Sequence, residues 1–484
     1  MRAGTSTGSE LTMPIRAAVR VTGLTLAMML SPGVTFAQGT PLSLILPELL
    51  GNTITLQPSN LPDQPNHIAH FQPGADQLQV PAQVNEALLT LLSTYPTATP
   101  AGGFTYIFDP ALGTLTRSSD SFGPSFAERA LTTGRGKVNV GFGHQRAAYD
   151  TFEGLNLRQR GITFYIQHVD CCSPGAAAAS SPDGSRLTPP FEGDLIEAGL
   201  ALELVSDTSI VFASYGVSDR LDIGLAVPFV RVDMNASVLA RIERLATAAD
   251  PSIHAFEGGS DRRLFRLSGT AAGLGDVVLR AKYAFTSSKP LGIAAAVEAR
   301  VPTGDESNLL GTGGVQTKVL GIGSFHRGPL SPHVNVGYTF SSKGALPGAT
   351  LHDEVIATAG IDLAVSPRLT MSFDVLGRTL RDAGRMRMTD KTFEFAVVGS
   401  GAGAGGGGGG GGGGRPMPPP GQTMSVTRTE LQFIPGNLHL YLGAAGVRFN
   451  LWRTLLVTAN LLFPLTDAGL RDRVTHAVGI DYVF

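Results

Sequence analysis

From Gly134 to the end of the chain, segments of about ten residues alternate by twos and are separated by turn residues. In the last segment, "THAVGIDYVF", His476, Val478, Ile480, Tyr482 and Phe484 share one side. Thr475, Ala477, Gly479, Asp481 and Val483 share the other. A strand shows its side chains to opposite faces with period two, so one face here is apolar and the other small or polar. Leu221, Ile223, Leu225, Val227 and Phe229 repeat the pattern against Asp222, Gly224 and Ala226. Leu279, Ala281 and Tyr283 repeat it against Arg280 and Lys282, and Val297 and Ala299 against Glu298 and Arg300. The segments around Val336, Phe373 and Leu461 do the same.

Alternation alone fits a soluble sandwich as well as a membrane barrel, and the connectors separate the two. Bacterial membrane barrels have short turns at one mouth and long loops at the other. Counting back from Phe484, the links near Asn450, at Ser366-Pro367, "HRGPLSP", "SSKP" and Ser218-Asp219 are short. Those at 380–436, 342–353, "PTGDESNLLGTGG" and 233–273 are long, and the two kinds alternate. A closed ring has no unpaired edge, as lipid requires. The expected fold is therefore all-β, a transmembrane antiparallel β-barrel of about twelve strands. Segments 162–170 and 195–205 raise the count to fourteen if each crosses the membrane. Twelve results if they extend the first hairpin above it.

Residues 1–37 read as a cleaved signal peptide. Arg16 and Arg20 precede the apolar run "VTGLTLAMML", and small residues at Thr35 and Ala37 suit cleavage after Ala37. Met13 is a candidate start. No later apolar run reaches the length of a membrane helix. Residues 38–130 are irregular and proline-rich, a candidate plug or periplasmic segment. One helix is expected at "PAQVNEALLTLLSTY", opened by Pro81, with Leu88, Leu91 and Leu92 on one face. A small hairpin is expected around Asp109-Pro110. Residues 131–484 are the barrel, interrupted at 399–421 by a loop with ten consecutive glycines. Polyglycine buries too little surface to offset its ordering entropy, so this loop is expected to be disordered.

The formal net charge of −2 offers no basic excess for nucleic acid. The two cysteines, Cys171 and Cys172, are adjacent and form neither a zinc quartet nor a disulfide framework. A strained vicinal disulfide, or metal binding with His168, is what remains for them, and the loop offers no further Cys or His ligands. No GxSxG elbow or HExxH spacing is present, and the glycines of "GLGD" and "GTGG" precede no phosphate-holding helix. His144 and His476 fall on apolar sides of their strands, where an interfacial position accounts for His476. The expectation is a non-enzyme without cofactor or metal. By alternation, Lys137, Asp222, Arg280, Lys282, Glu298, Arg300, Lys318, Asp362, Asp374, Arg378 and Asp481 face the lumen. They either tune passage through a pore or pair with one another as a solvated core. The mixture of signs argues against strong ion selectivity.

"GLGDVVLRAKYAF", "ARVPTGDESNLLGTGG", "SYGVSDRLDIGLAVPFV" and "FGPSFAERALTTGRGKVNVGFGH" together resemble the transporter family named for the MetA pathway of phenol degradation. The resemblance runs from about Gly102 to the end, apart from the polyglycine loop. It implies an outer-membrane barrel, loosely similar to long-chain fatty-acid and aromatic-hydrocarbon channels, that passes hydrophobic or aromatic compounds. It implies no residue-level site. The ending, with Gly479, Tyr482 and Phe484, resembles the C-terminal signal read by the barrel-assembly machinery, and aromatics suit the membrane interface.

The functional expectation is a bacterial outer-membrane channel for passive uptake of small hydrophobic or aromatic compounds, gated by the N-terminal segment. Its expected partners are outer-membrane lipid, the assembly machinery and the solute, with no nucleic acid. The alternative is a structural or surface-interaction barrel with a closed lumen, and a barrel enzyme stands third.

Overall fold

The computed structural model describes residues 40–51, 54–58, 71, 75–93, 95–96, 104–109, 114–117, 119–167, 193–245, 254–286, 290–342, 344, 351–396 and 423–484. The expected signal peptide, the His168–Cys172 stretch and the glycine-rich loop 399–421 lie outside the described residues.

Twelve strands close into a ring. They are β1 (Val138–Phe152), β2 (Leu195–Gly216), β3 (Leu221–Glu243), β4 (Val277–Thr286), β5 (Leu291–Val301) and β6 (Gln316–Phe325), followed by β7 (Leu330–Ser341), β8 (Glu354–Ser366), β9 (Leu369–Leu380), β10 (Leu438–Trp452), β11 (Leu455–Pro464) and β12 (Thr475–Val483). Each pairs antiparallel with the next, and β12 returns to β1 with Ile480 opposite Phe142. Every strand of the ring is paired on both sides, so the wall has no edge.

The strand ends joined by links 217–220, 287–290, 326–329, 367–368 and 453–454 lie at one mouth. The strand ends joined by links 153–194, 244–276, 302–315, 342–353, 381–437 and 465–474 lie at the other. The expected short–long alternation is therefore the architecture. The parity question at the first hairpin is also settled. Leu195–Gly216 is one long strand whose lower part pairs with β1, while Ile162–Gln167 pairs only with its upper end. The count is twelve, not fourteen.

The period-two pattern is visible in exposure. On β12, Thr475, Ala477, Asp481 and Val483 are buried, while His476, Val478, Ile480 and Phe484 are exposed. The outer face of the ring is an apolar belt including Val336, Phe285, Phe340, Phe373 and Val478. Tyr215, Phe325, Phe449, Trp452 and Phe484 ring the short-turn mouth, and Phe340, Tyr441 and Phe463 the long-loop mouth. Two aromatic girdles flanking an apolar band are the outer surface of a transmembrane barrel. His476 is exposed at the long-loop start of β12, the interfacial place expected for it. His144 instead bonds Ser209 through Nδ1 at 3.0 Å.

At the long-loop mouth, β1 to β3 rise beyond the rest of the wall, and Arg262–Leu274 pairs with the upper part of β3. Helices α1 (Ile45–Gly51) and α2 (Ala75–Ser93) pack here. Leu46 and Leu49 of α1, Leu88 and Leu91 of α2, Leu200 and Leu202 of β2, and Val232 and Met234 of β3 share one apolar core. Two sequence expectations about the N-terminal segment meet this structure differently. The hairpin is present, with Tyr106–Asp109 pairing to Thr114–Arg117. The helix is present but begins at Ala75, so Pro81 lies inside it rather than opening it. Gln77, Leu78 and Gln79 are good helix formers. They extend the helix upstream, and burial of its leucines offsets the one hydrogen bond a proline forfeits.

Candidate functional site

A strap, residues 119–133, crosses the inside of the ring near the short-turn mouth. The Phe122 N–H donates to Thr370 Oγ1 of β9 at 2.9 Å, and Arg448 of β10 donates to the Phe122 carbonyl at 2.9 Å. The side-chain amide of Asn335 on β7 brackets Glu128, accepting from its N–H at 2.8 Å and donating to its carbonyl at 2.9 Å. The Ala130 N–H reaches Ser324 Oγ of β6 at 3.1 Å. Lys282 of β4 donates to the Leu131 carbonyl at 2.6 Å, and the Thr133 N–H donates to Asp222 of β3 at 2.8 Å. An irregular backbone inside a barrel must find partners for its polar groups, and the wall's inward polar side chains supply them.

The strap's buried carboxylate, Glu128, completes an ion network on the wall. Arg280 contacts Glu128 and lies 3.3 Å from Glu298, which in turn contacts Lys318. Lys282 stands 4.0 Å from both Glu128 and Asp222. Arg378 grips Glu354 through two bonds, at 2.5 and 2.9 Å. Near the short-turn mouth His333 bonds Asp374 at 2.7 Å, with Asp362 at 3.9 Å. The other bond of that imidazole goes to the Ser331 carbonyl at 3.3 Å, so neither ring nitrogen is turned to a hydroxyl.

The structure brings Asp222, Arg280, Lys282, Glu298 and Lys318 of the expected lumen set into this one network. Arg300 and Arg378 line the cavity beside it, and Asp362 and Asp374 form the separate His333 cluster. Asp481 is buried on the inner face of β12. Lys137 is half-buried at the mouth, its ammonium 5.2 Å from the Tyr106 ring centre. Sequence reasoning missed Glu128, His333, Glu354 and Arg448. Glu354 shares the parity of Asp362 on β8, and His333 that of Asn335 on the polar side of β7, so alternation carried a signal for both; β10 is apolar on both faces and carried none for Arg448. Glu128 lies in a segment with no periodicity and carried none.

Two cavities follow one another along the barrel. A lumenal cavity of about 200 Å³ is lined by Tyr95, Phe126, Glu128, Glu298, Arg300 and Arg378, among others. A second, of about 180 Å³, lies at the long-loop mouth between Leu91, Phe152, Leu380, Met386, Phe433 and Leu438. Glu86 and His352, 4.0 Å apart, stand at its polar side. Helix α2 and its continuation border both. Leu91 lines the outer cavity, and Tyr95, bonded to Thr475 at 2.9 Å, lines the inner one.

The glycine-rich motifs of the sequence form a clasp beside the wall. Asp276 of "GLGD" accepts the N–H of Gly304 at 3.1 Å and both the N–H and hydroxyl of Thr312 at 2.8 Å. Thr303 Oγ1 donates to the Gly275 carbonyl at 2.7 Å. A Cβ on Gly304 would stand 2.7 Å from the Gly311 Cα, so this backbone approach needs glycine. These motifs hold a loop in place and line neither cavity.

A closed twelve-stranded ring with an apolar outer belt and a polar, partly filled interior defines the class, a transmembrane β-barrel of outer-membrane type. The model of the family described as "Putative MetA-pathway of phenol degradation" matches residues 178–375, the family that the sequence motifs resemble. Among solved structures, an outer-membrane channel from Pseudomonas putida F1 is similar at 11% identity, covering 72% of this chain and 96% of that one, with a TM-score of 0.40. The P. putida toluene transporter TodX is similar at 10% identity, covering 72% and 89%, with a TM-score of 0.28. A FadL homologue from Pseudomonas aeruginosa is similar at 11% identity, covering 73% and 90%, also at 0.28. Likeness of this degree assigns no function. Among curated proteins, none matches the chain.

Proposed function

We propose that this chain is an outer-membrane channel for passive uptake of small hydrophobic or aromatic compounds, held closed at rest by its N-terminal segment. The observation that carries the reading is the succession along one axis of an apolar cavity, a charged lumenal cavity and a strap. By the rule that short turns face the periplasm, solute enters at the apolar cavity among the long loops. It passes Tyr95 into the lumen and leaves when strap 119–133 lifts from the wall. The apolar lining of the outer cavity suits a single small aromatic ring, and its polar edge suits a hydroxyl or similar group.

The same reading carries the remaining expectations. Residues 1–37 direct export and are removed after Ala37. The terminal strand with Tyr482 and Phe484 is handed to the barrel-assembly machinery, and the apolar belt settles in outer-membrane lipid. A channel needs no reacting group, so the same reading is non-enzymatic. The second reading, a structural barrel with a closed lumen, draws on the ion pairs that fill the interior.

Single-channel recording of the refolded, signal-free protein in planar bilayers separates the two. Discrete conductance steps that phenol-like solutes block support the channel. An inserted but silent protein, with no uptake of radiolabelled toluene into vesicles, overturns it in favour of the structural barrel.

A further inference from the structure

The wall around the lumenal cavity carries more cations than carboxylates of its own. Arg280, Lys282, Arg300, Lys318 and Arg378 face Asp222, Glu298 and Glu354. The strap's Glu128 supplies a fourth carboxylate, placed against Arg280 and 4.0 Å from Lys282. Its side chain is only 6% exposed, and that of Arg280 is 7%. A carboxylate buried this deeply is stable only with cations beside it, and cations buried this deeply require an anion in return. Glu128 also borders the lumenal cavity, so a solute in that cavity sits next to the pair. The neighbouring strap residue Arg129 turns away, bonding Ser119 and Ser121.

We propose that Arg280 and Lys282 form an anion-binding site on the barrel wall, which Glu128 fills in the closed state and which an aromatic carboxylate takes over to release the strap. The proposal rests on the channel reading and sharpens its substrate class, from aromatic compounds in general to aromatic acids. The exchange keeps the charge balance local to Arg280 and Lys282. One carboxylate leaves with the strap as another arrives with the solute, and the ring of the solute occupies the cavity beside Phe126. A neutral aromatic of the same size offers Arg280 and Lys282 nothing in place of Glu128 and leaves the strap in position.

Calorimetric titration with benzoate, and with benzyl alcohol as its neutral counterpart, tests the site independently of transport. Wild type, Glu128→Gln and Arg280→Gln are compared as full-length refolded barrels, with heat-modifiable gel migration confirming that each is folded. Glu128→Gln removes the internal competitor and is expected to bind benzoate roughly ten-fold more tightly than wild type. Arg280→Gln is expected to lose benzoate binding, and benzyl alcohol to bind all three alike. In bilayers, benzoate should raise the open fraction of wild type but not that of Glu128→Gln, which should be open without it. Equal benzoate affinity in wild type and Glu128→Gln overturns the anion site even if neutral aromatics pass through the channel. The expected binding pattern in a barrel that never conducts upholds the site and overturns the channel reading instead.

Discussion

Gly360 of β8 and Asp374 of β9 are register partners with no room for a methyl group between them. A Cβ on Gly360 would fall against the Asp374 carboxylate and 2.6 Å from His333 Nε2. Gly360→Ala should therefore break the His333–Asp374 bond and overpack the wall, at about 1–3 kcal/mol. The temperature at which the folded gel band converts to the unfolded one should drop by several degrees. An unchanged conversion temperature would show that the cluster can give way at little cost.

Asn335 holds the strap through both backbone groups of Glu128. Each hydrogen bond contributes about 1 kcal/mol net, so Asn335→Ala should weaken the closed state by about 2 kcal/mol, roughly thirty-fold in the closed-to-open ratio. Because Asn335 faces the lumen, the barrel itself should keep its unfolding midpoint. Single-channel open probability reads the first effect and urea unfolding in vesicles the second. A rise in neither open probability nor strap proteolysis would remove the strap from the gate.

One residue further along β7, Val336 faces outward and is 57% exposed. Val336→Arg places a charge near the middle of the apolar belt and should cost about 2–4 kcal/mol in lipid-vesicle unfolding. In a soluble barrel the same change would be almost neutral. The measurement therefore reports what the outer face is built to meet.

Asp276 accepts three hydrogen bonds from the 304–312 loop. Asp276→Ala leaves those donors without their acceptor and should cost about 3 kcal/mol locally. Limited proteolysis should then cut within 302–315 while the ring stays intact. Resistance equal to wild type would mean that the glycine approach alone secures the loop.

Phe484 is 61% exposed at the end of β12, its ring 4.7 Å from that of Tyr482. Its N–H donates to the Val138 carbonyl at 2.8 Å, a bond that any residue there could make. Phe484→Ala should leave the refolded barrel close to wild-type stability yet reduce the amount assembled in outer membranes of expressing cells. Equal loss in both settings would assign Phe484 to stability rather than to assembly.

The ring itself was legible in the sequence because a strand's two faces meet two solvents. Thr475 to Phe484 can be read by parity alone, and the alternation of short and long links then points to a closed ring of about twelve strands, leaving fourteen open until the first hairpin is seen. Arg280, Lys282, Glu298 and Lys318 were assigned to the interior on the same ground, since a charge on an even or odd position must face away from the apolar belt. Parity also contains His333 and Glu354, which lie on the polar sides of β7 and β8. The start of α2 is less legible, because the proline at 81 is a stronger start signal than the helix preference of the residues before it.

Parity names a face but not a neighbour. Which charges pair depends on strand register and on the distance across the lumen, and neither is written into any one segment. Glu128 was beyond reach for a further reason. An irregular strap has no period to read, and its path is chosen by the wall residues that satisfy its backbone, which come from β3, β4, β6, β7, β9 and β10. The sequence determined a barrel with an apolar outside and a charged inside, because local alternation is enough to sort faces. Only the tertiary structure decided that the charged inside is paired, that a strap crosses it, and that Glu128 meets Arg280, because each of these depends on residues brought together by closure of the ring.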